Sequence, residues 1–198
     1  NAAATLIPLQ TRFPAYVSIQ KIFEIAAKLG ADVPLFLHGG CMLMEGIGEK
    51  LLALPNIRGW LVVLQPPGEL STPVVYRAWD ELKQPSAQAS QNLQQKLKTY
   101  QKEAPATLLA NALRNDLSAA AHELGLNIAP IMHLLRDAGA LDAQMTGSGS
   151  AVFGVFDNEN AARVALEKVQ QWAAQENIAL HFAEVAPFCA RGVEKISA

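Results

Sequence analysis

Apolar residues recur along this chain at helical spacing in some stretches and at strand spacing in others. Asn1 and the alanines behind it begin a helix that Pro8 interrupts, which predicts a short or kinked first helix and a break between Arg12 and Tyr16. Ile19, Ile22, Phe23, Ala26 and Leu29 then repeat at helical spacing, with Ser18 as cap and Gly30 as stop. Phe36 to His38 and Cys41 to Glu45 read as two short strands about Gly39 and Gly40, and Glu49 to Leu54 as another. Pro55 to Arg58 reads as a linker, and Gly59 to Gln65 as a buried strand.

Ser71, Thr72 and Pro73 open a helix whose apolar face is Val75, Ala78, Trp79 and Leu82. Lys83 to Gln95 is polar and reads as a mobile loop, or as a polar helix from Gln91 onward. Helices are predicted over Thr107 to Leu113, Leu117 to Leu124 and Ile128 to Ala138, with Asn115 and Asp116 as a break or cap between the first two. Two strands, Ala151 to Phe156 and Ile178 to Val185, flank a long helix from Asn158 to Gln175. From Trp60 onward the order is strand, helices, strand, strand, helix, strand. That order predicts an α+β domain with one antiparallel sheet and helices packed on one face. A boundary near residue 56 divides the chain into 1–56 and 57–198.

Composition adds limits. The 198 residues are 51% apolar and 17% charged, enough for a sizeable core, with a net charge of −2. No basic cluster suggests a nucleic-acid partner, and no apolar stretch reaches the ~20 residues of a membrane span. Cys41 and Cys189 form neither a disulfide framework nor a metal-ligand spacing, so a reducing cytoplasm is expected. Nothing in the sequence sets an oligomeric state.

The chemistry concentrates in three places. Gln144 to Phe156 carries Gly147 and Gly149 alternating with Ser148 and Ser150, directly before an apolar strand. Thr146, Ser148 and Ser150 hydroxyls and freed amides there suit an anion, and a hairpin turn with no ligand is the competing reading. The context is strand, turn, strand, which excludes a dinucleotide fingerprint. Asp32, between Ala31 and Val33 in a mostly apolar setting that predicts a dry environment, is either a turn aspartate accepting backbone amides or a carboxylate that orients or deprotonates a hydroxyl. Tyr76 falls off the apolar stripe of its helix, as a half-exposed packing residue or a stacking surface. Glu45 and Glu49 lack histidine partners, and no metal site is assigned.

Three stretches in order carry a resemblance. They are N-A-A-A-T-L with I-A-A-K-L-G-A-D-V-P-L-F, S-T-P-V-V-Y, and M-T-G-S-G-S-A-V-F-G, supported by E-G-I-G-E-K-L and N-D-L. Together they resemble the GHMP small-molecule kinase superfamily, in the branch that acts on a cytidylated methylerythritol. The resemblance implies a remnant of an N-terminal ATP-binding domain like ribosomal protein S5 domain 2, followed by a ferredoxin-like C-terminal domain. It implies transfer of a phosphoryl group from ATP, with magnesium carried in, to the 2-hydroxyl of the methylerythritol unit in isoprenoid precursor synthesis. Asp32 takes the catalytic role by that resemblance. Thr72, Tyr76, Thr146, Gly147, Ser148 and Gly149 bind substrate, with Tyr76 stacking on cytosine. Asn1 and Ala2, at the amino end of the first helix, bind the ATP phosphates. The family's main phosphate loop and a lysine that pairs with the catalytic aspartate are expected before Asn1. The chain therefore reads as roughly the C-terminal two-thirds of such an enzyme, expected to be inactive alone. Competing readings are a non-catalytic binding module and a GHMP kinase acting on mevalonate or homoserine.

Overall fold

Ser18 does what its position predicts: its hydroxyl accepts from the Lys21 amide at 3.2 Å and starts a helix. A computed structural model describes residues 2–48, 50–82 and 87–193, the side chains of 87–91 excepted. It divides into two compact units. The first comprises Asn1–Ile57, Tyr100–Glu103 and Cys189–Ala198; the second comprises Arg58–Thr99 and Ala104–Phe188.

In the first unit α1 spans Ala2–Arg12, α2 Ile19–Leu29 and α3 Val33–His38. The predicted break follows Arg12, while Pro8 lies inside α1. Leu6, Ile22 and Ala26 are buried together, with Val17, Ile25, Val33 and Leu37 against them. Ile19 and Leu29, at the ends of the predicted apolar stripe of α2, are instead exposed. The buried part of the stripe is its middle, Ile22 and Ala26, with Ile25 packed against them.

A second difference concerns Phe36 to His38, which lie in α3 and not in a strand. Pro34 stands in the first turn of α3, where its fixed φ suits a helix and its missing N–H leaves no donor unpaired. Gly39, with φ +73°, then ends the helix as its amide reaches back to the Leu35 carbonyl at 2.7 Å. Strands β1 (Met42–Glu45) and β2 (Lys50–Ala53) pair antiparallel, with Met42 opposite Ala53 and Glu45 opposite Lys50. The segment expected to be a linker holds a short strand, β3 (Asn56–Arg58), because the Asn56 amide pairs with the Lys102 carbonyl at 2.9 Å.

The second unit contains β4 (Trp60–Gln65), α4 (Thr72–Leu82), α5 (Ala87–Leu97), α6 (Leu117–Glu123), α7 (Ala129–Asp137), β6 (Asp142–Met145), β7 (Val152–Phe156), α8 (Glu159–Gln175) and β8 (Phe182–Pro187). The short strand β5 (Glu103–Pro105) precedes a 3-10 turn at Ala106–Leu109. The sheet order is β6-β7-β4-β8, every neighbour antiparallel. With α4 to α7 after the first strand and α8 before the last, this is the βαββαβ ferredoxin-like arrangement and the expected α+β class. Helix α7 packs on β6 and β7, and α8 on β4, β7 and β8. The core under them holds Val62, Leu64, Val152, Phe156, Leu135, Ala162, Ala165 and Val169. Gly154 lets α7 approach, since a Cβ there would stand 3.2 Å from the Leu135 Cδ2 and 3.3 Å from the Ala140 Cβ.

Three boundaries in this unit depart from the sequence reading. Part of the stretch Lys83 to Gln95 belongs to α5, with 83–86 outside the described residues. The helix expected over Thr107 to Leu113 is a 3-10 turn followed by Asn111 at φ +55°. The Leu113 amide is spent on the carboxylate of Asp142 at 3.2 Å, not on a helical partner. The last strand starts at Phe182 and not Ile178 because Ile178 closes α8. Its amide bonds to the Ala173 carbonyl at 2.7 Å, past Asn177 at φ +55°, in a Schellman cap.

Candidate functional site

The loop joining β6 to β7 is held by its own backbone and by two side chains from elsewhere in the second unit. The Thr146 amide bonds to the Ala151 carbonyl at 2.9 Å, and the Gly149 amide to the Thr146 carbonyl at 3.1 Å. Gly147 and Gly149 take φ of +56° and +84°, where a side chain is strained. A Cβ on Gly149 would also meet Leu126 at 2.6 Å and the Met145 sulfur at 2.9 Å. Ser150 is buried and donates to the Pro66 carbonyl at 2.9 Å, so it anchors the loop and does not face a ligand.

Asn115 is the larger clamp. Its Nδ2 donates to the Met145 carbonyl at 2.9 Å and to the Gly147 carbonyl at 2.8 Å. Its Oδ1 accepts from the Leu117 amide at 2.9 Å, which caps α6. Every hydrogen-bonding atom of this side chain is therefore engaged. The segment it sits on is pinned from the other end by Asp142. That buried carboxylate accepts from the Leu113 and Ala143 amides at 3.2 and 2.8 Å and from Arg136 at 3.2 Å.

A cavity of about 560 Å³ opens beside the loop. Tyr76 and Trp79 of α4 form one wall, Arg114 to Leu117 another, and Gln144 to Gly147 with Phe153 the floor. Gln144 and Phe153 stand opposite each other in the β6–β7 register, which puts both on the same side of the sheet. Gln144 is held by the Ser118 hydroxyl, which donates to its Oε1 at 3.1 Å. Arg114 pairs with Asp116 at 2.6 Å on the rim. Tyr76 is 52% exposed, as a stacking surface requires. Such a space, part aromatic wall and part polar loop, suits a ligand with a flat ring and a polar tail.

The sequence-predicted residues fall out as follows. Thr72, Tyr76, Thr146, Gly147, Ser148 and Gly149 all lie in the second unit, and Tyr76, Thr146 and Gly147 line the cavity. Thr72 meets Ser148 through their hydroxyls at 2.9 Å. Asp32 lies in the first unit, at the N-cap position of α3, where its side chain makes no capping hydrogen bond. The apolar setting that the sequence suggests for it is not found: Asp32 is exposed while Pro34 takes the buried place. Ala2 heads α1, and Asn1 lies outside the described residues. Among the described residues, no group of three or more His, Cys, Asp or Glu is arranged to hold a metal ion. Sequence reasoning missed Trp79, Gln144 and Phe153 as cavity walls, and Asn115 as the loop clamp. A helix-break asparagine is visible in sequence, but its distant acceptors are not.

Comparison with known proteins follows the same outline. Residues 101–175 match the family model described as GHMP kinases C terminal. Over 85% of its length the chain is 36% identical to the 4-diphosphocytidyl-2-C-methyl-D-erythritol kinase of Sinorhizobium medicae (strain WSM419), and it covers 54% of that relative. It is 31% identical to the solved 4-(cytidine 5'-diphospho)-2C-methyl-D-erythritol kinase, with a TM-score of 0.68, covering 96% of this chain and 63% of that one. The homoserine kinase from Cytophaga hutchinsonii shares the fold at 19% identity, with a TM-score of 0.64 over 81% of this chain and 52% of its own. The chain thus spans a little over half the length of the curated relatives it matches.

Proposed function

We propose, from its likeness to the GHMP kinases, that this chain is part of a protein that transfers the terminal phosphoryl group of ATP to the 2-hydroxyl of 4-diphosphocytidyl-2-C-methyl-D-erythritol, on the route to isoprenoids. Magnesium enters with ATP, as part of that substrate. Phosphoryl transfer asks the protein chiefly for positioning and for charge stabilisation. Asp32 supplies the carboxylate that orients and deprotonates the accepting hydroxyl. Tyr76 stacks on the cytosine, and Thr72 with Thr146 to Gly149 receives the diphosphate. Ala2, which heads α1, and Asn1 before it in sequence bind the ATP phosphates, as the amino end of a helix suits an anion. The enzyme works in the cytoplasm; among the described residues, no helix is long and apolar enough to cross a membrane.

The observation that supports this reading best is the joining of Tyr76 and the Thr146–Gly147 loop in one cavity. The test is turnover by the protein expressed from its own gene, with ATP and the cytidylated substrate. Asp32→Asn should lower kcat by at least about a hundredfold, the scale of general-base loss, with ATP binding retained. Near-normal kcat in Asp32→Asn removes the residue from the chemistry.

A further inference from the structure

The two carbonyls that Asn115 holds have unequal consequences. In a trans peptide the C=O and the following N–H point in opposite directions. Fixing the Met145 carbonyl turns the Thr146 amide the other way, where it is already used by the Ala151 carbonyl at 2.9 Å. Fixing the Gly147 carbonyl turns the Ser148 amide away from Asn115 in the same manner. Among the described residues, that amide has no hydrogen-bond partner. The Ser148 side chain is meanwhile held to Thr72 at 2.9 Å, so the residue is placed from both sides. Gly147, at φ +56°, is the hinge that could otherwise let this peptide turn over.

We infer that Asn115 is a positioning residue: by occupying the Gly147 carbonyl it orients the Gly147–Ser148 peptide so that the Ser148 N–H faces a ligand oxygen. It touches no reacting atom itself. Without its Nδ2 the peptide can rotate and offer the carbonyl, which repels a phosphate where the amide attracts one. The ligand class, a nucleoside diphosphate, rests on the function proposed above; the orienting role rests on the hydrogen bonds alone.

Asn115→Asp separates the two jobs of the side chain. It keeps an oxygen for the Leu117 amide, and so the cap of α6, but replaces both Nδ2 donors with an acceptor. Asn115→Ala removes everything and serves as the second variant. The readout is the backbone amide resonance of Ser148 in nitrogen-15 labelled protein, with and without cytidine 5'-diphosphate. In the unliganded protein, both substitutions should shift or broaden that resonance, while the amide resonances of β4 keep their positions and show that the unit stays folded. Cytidine diphosphate should move the parent resonance and bind Asn115→Ala, which adds no charge to repel it, at least about tenfold more weakly, the loss of one hydrogen bond to a charged group. A Ser148 amide unchanged in both unliganded variants overturns the orienting role. Equal cytidine diphosphate affinity in parent and Asn115→Ala overturns its bearing on the ligand. If the unliganded resonance changes as expected but cytidine diphosphate moves nothing in the parent, the orienting role stands and the nucleotide reading of the loop falls.

Discussion

The hydroxyls of Thr72 and Ser148 meet at 2.9 Å, although 76 positions separate them in the chain. This contact ties the first residue of α4 to the tip of the glycine loop. Tyr76 stands one turn further along the same helix, so the aromatic wall and the loop are set by a shared fixture.

Thr72→Val keeps the shape of the side chain and removes the hydroxyl. The contact is exposed, so the expected cost is small, about 1 kcal/mol. The effect should be local. Hydrogen exchange in 146–151 should quicken several-fold, while the buried strand β4 keeps its protection. Mass-spectrometric exchange on the two peptides checks this, and equal protection of the loop in both proteins counts against the tie.

The two loop glycines should respond differently to alanine. At Gly147 a Cβ meets nothing within 4 Å, so only the left-handed backbone is penalised, at about 1 kcal/mol. At Gly149 the same penalty is joined by contacts at 2.6 Å with Leu126 and 2.9 Å with Met145, for about 2–3 kcal/mol in all. Trp60, Trp79 and Trp172 all lie in the second unit, so tryptophan fluorescence in urea reports its unfolding alone. Gly147→Ala destabilised as much as Gly149→Ala would contradict the packing argument.

Asp142 and Glu159 both pair with arginine, in very different surroundings. Asp142 is buried and accepts from two backbone amides as well as Arg136. Asp142→Ala strands those donors and should cost about 3 kcal/mol. Glu159 pairs with Arg163 at 2.6 Å on an exposed face of α8, and Glu159→Ala should cost roughly 0.3–0.5 kcal/mol. The same fluorescence titration ranks the two.

The two cysteines should alkylate in order. Burial holds the Cys41 thiol above its ordinary pKa, so at pH 8 little of it is the reactive thiolate. Its labelling should accelerate as the pH is raised beyond the usual thiol range. Cys189 is exposed. Iodoacetamide at pH 8 should therefore mark Cys189 first, as read by peptide mass, and faster labelling of Cys41 would contradict its burial.

What could be seen in the sequence depended on whether the cause was local. Ser18, Gly30 and the face of α4 act within one turn of themselves, and each is found as read. The order of strands and helices after Trp60 was enough for the sheet class. Phe36 to His38 misled because a run of three residues carries no period, and only Pro34 upstream decides for helix. Ile178 misled because its amide closes the helix before the strand. In the site, Tyr76 and the glycine run stood out by their type. Asn115 did not, since its acceptors at Met145 and Gly147 lie 30 and 32 positions away. The expected dry setting of Asp32 failed for a related reason: neighbours in sequence are apolar, but the N-cap position turns that residue outward.

Phosphoryl transfer itself is the most direct test. The protein expressed from its own gene is mixed with magnesium and ATP, and with one acceptor at a time: 4-diphosphocytidyl-2-C-methyl-D-erythritol, mevalonate or homoserine. Phosphorus-31 spectra follow the product. The account predicts a new phosphomonoester signal with the cytidylated acceptor, lost in Asp32→Asn, and none with the other two. No transfer to the cytidylated acceptor, or faster transfer to mevalonate or homoserine, would contradict it.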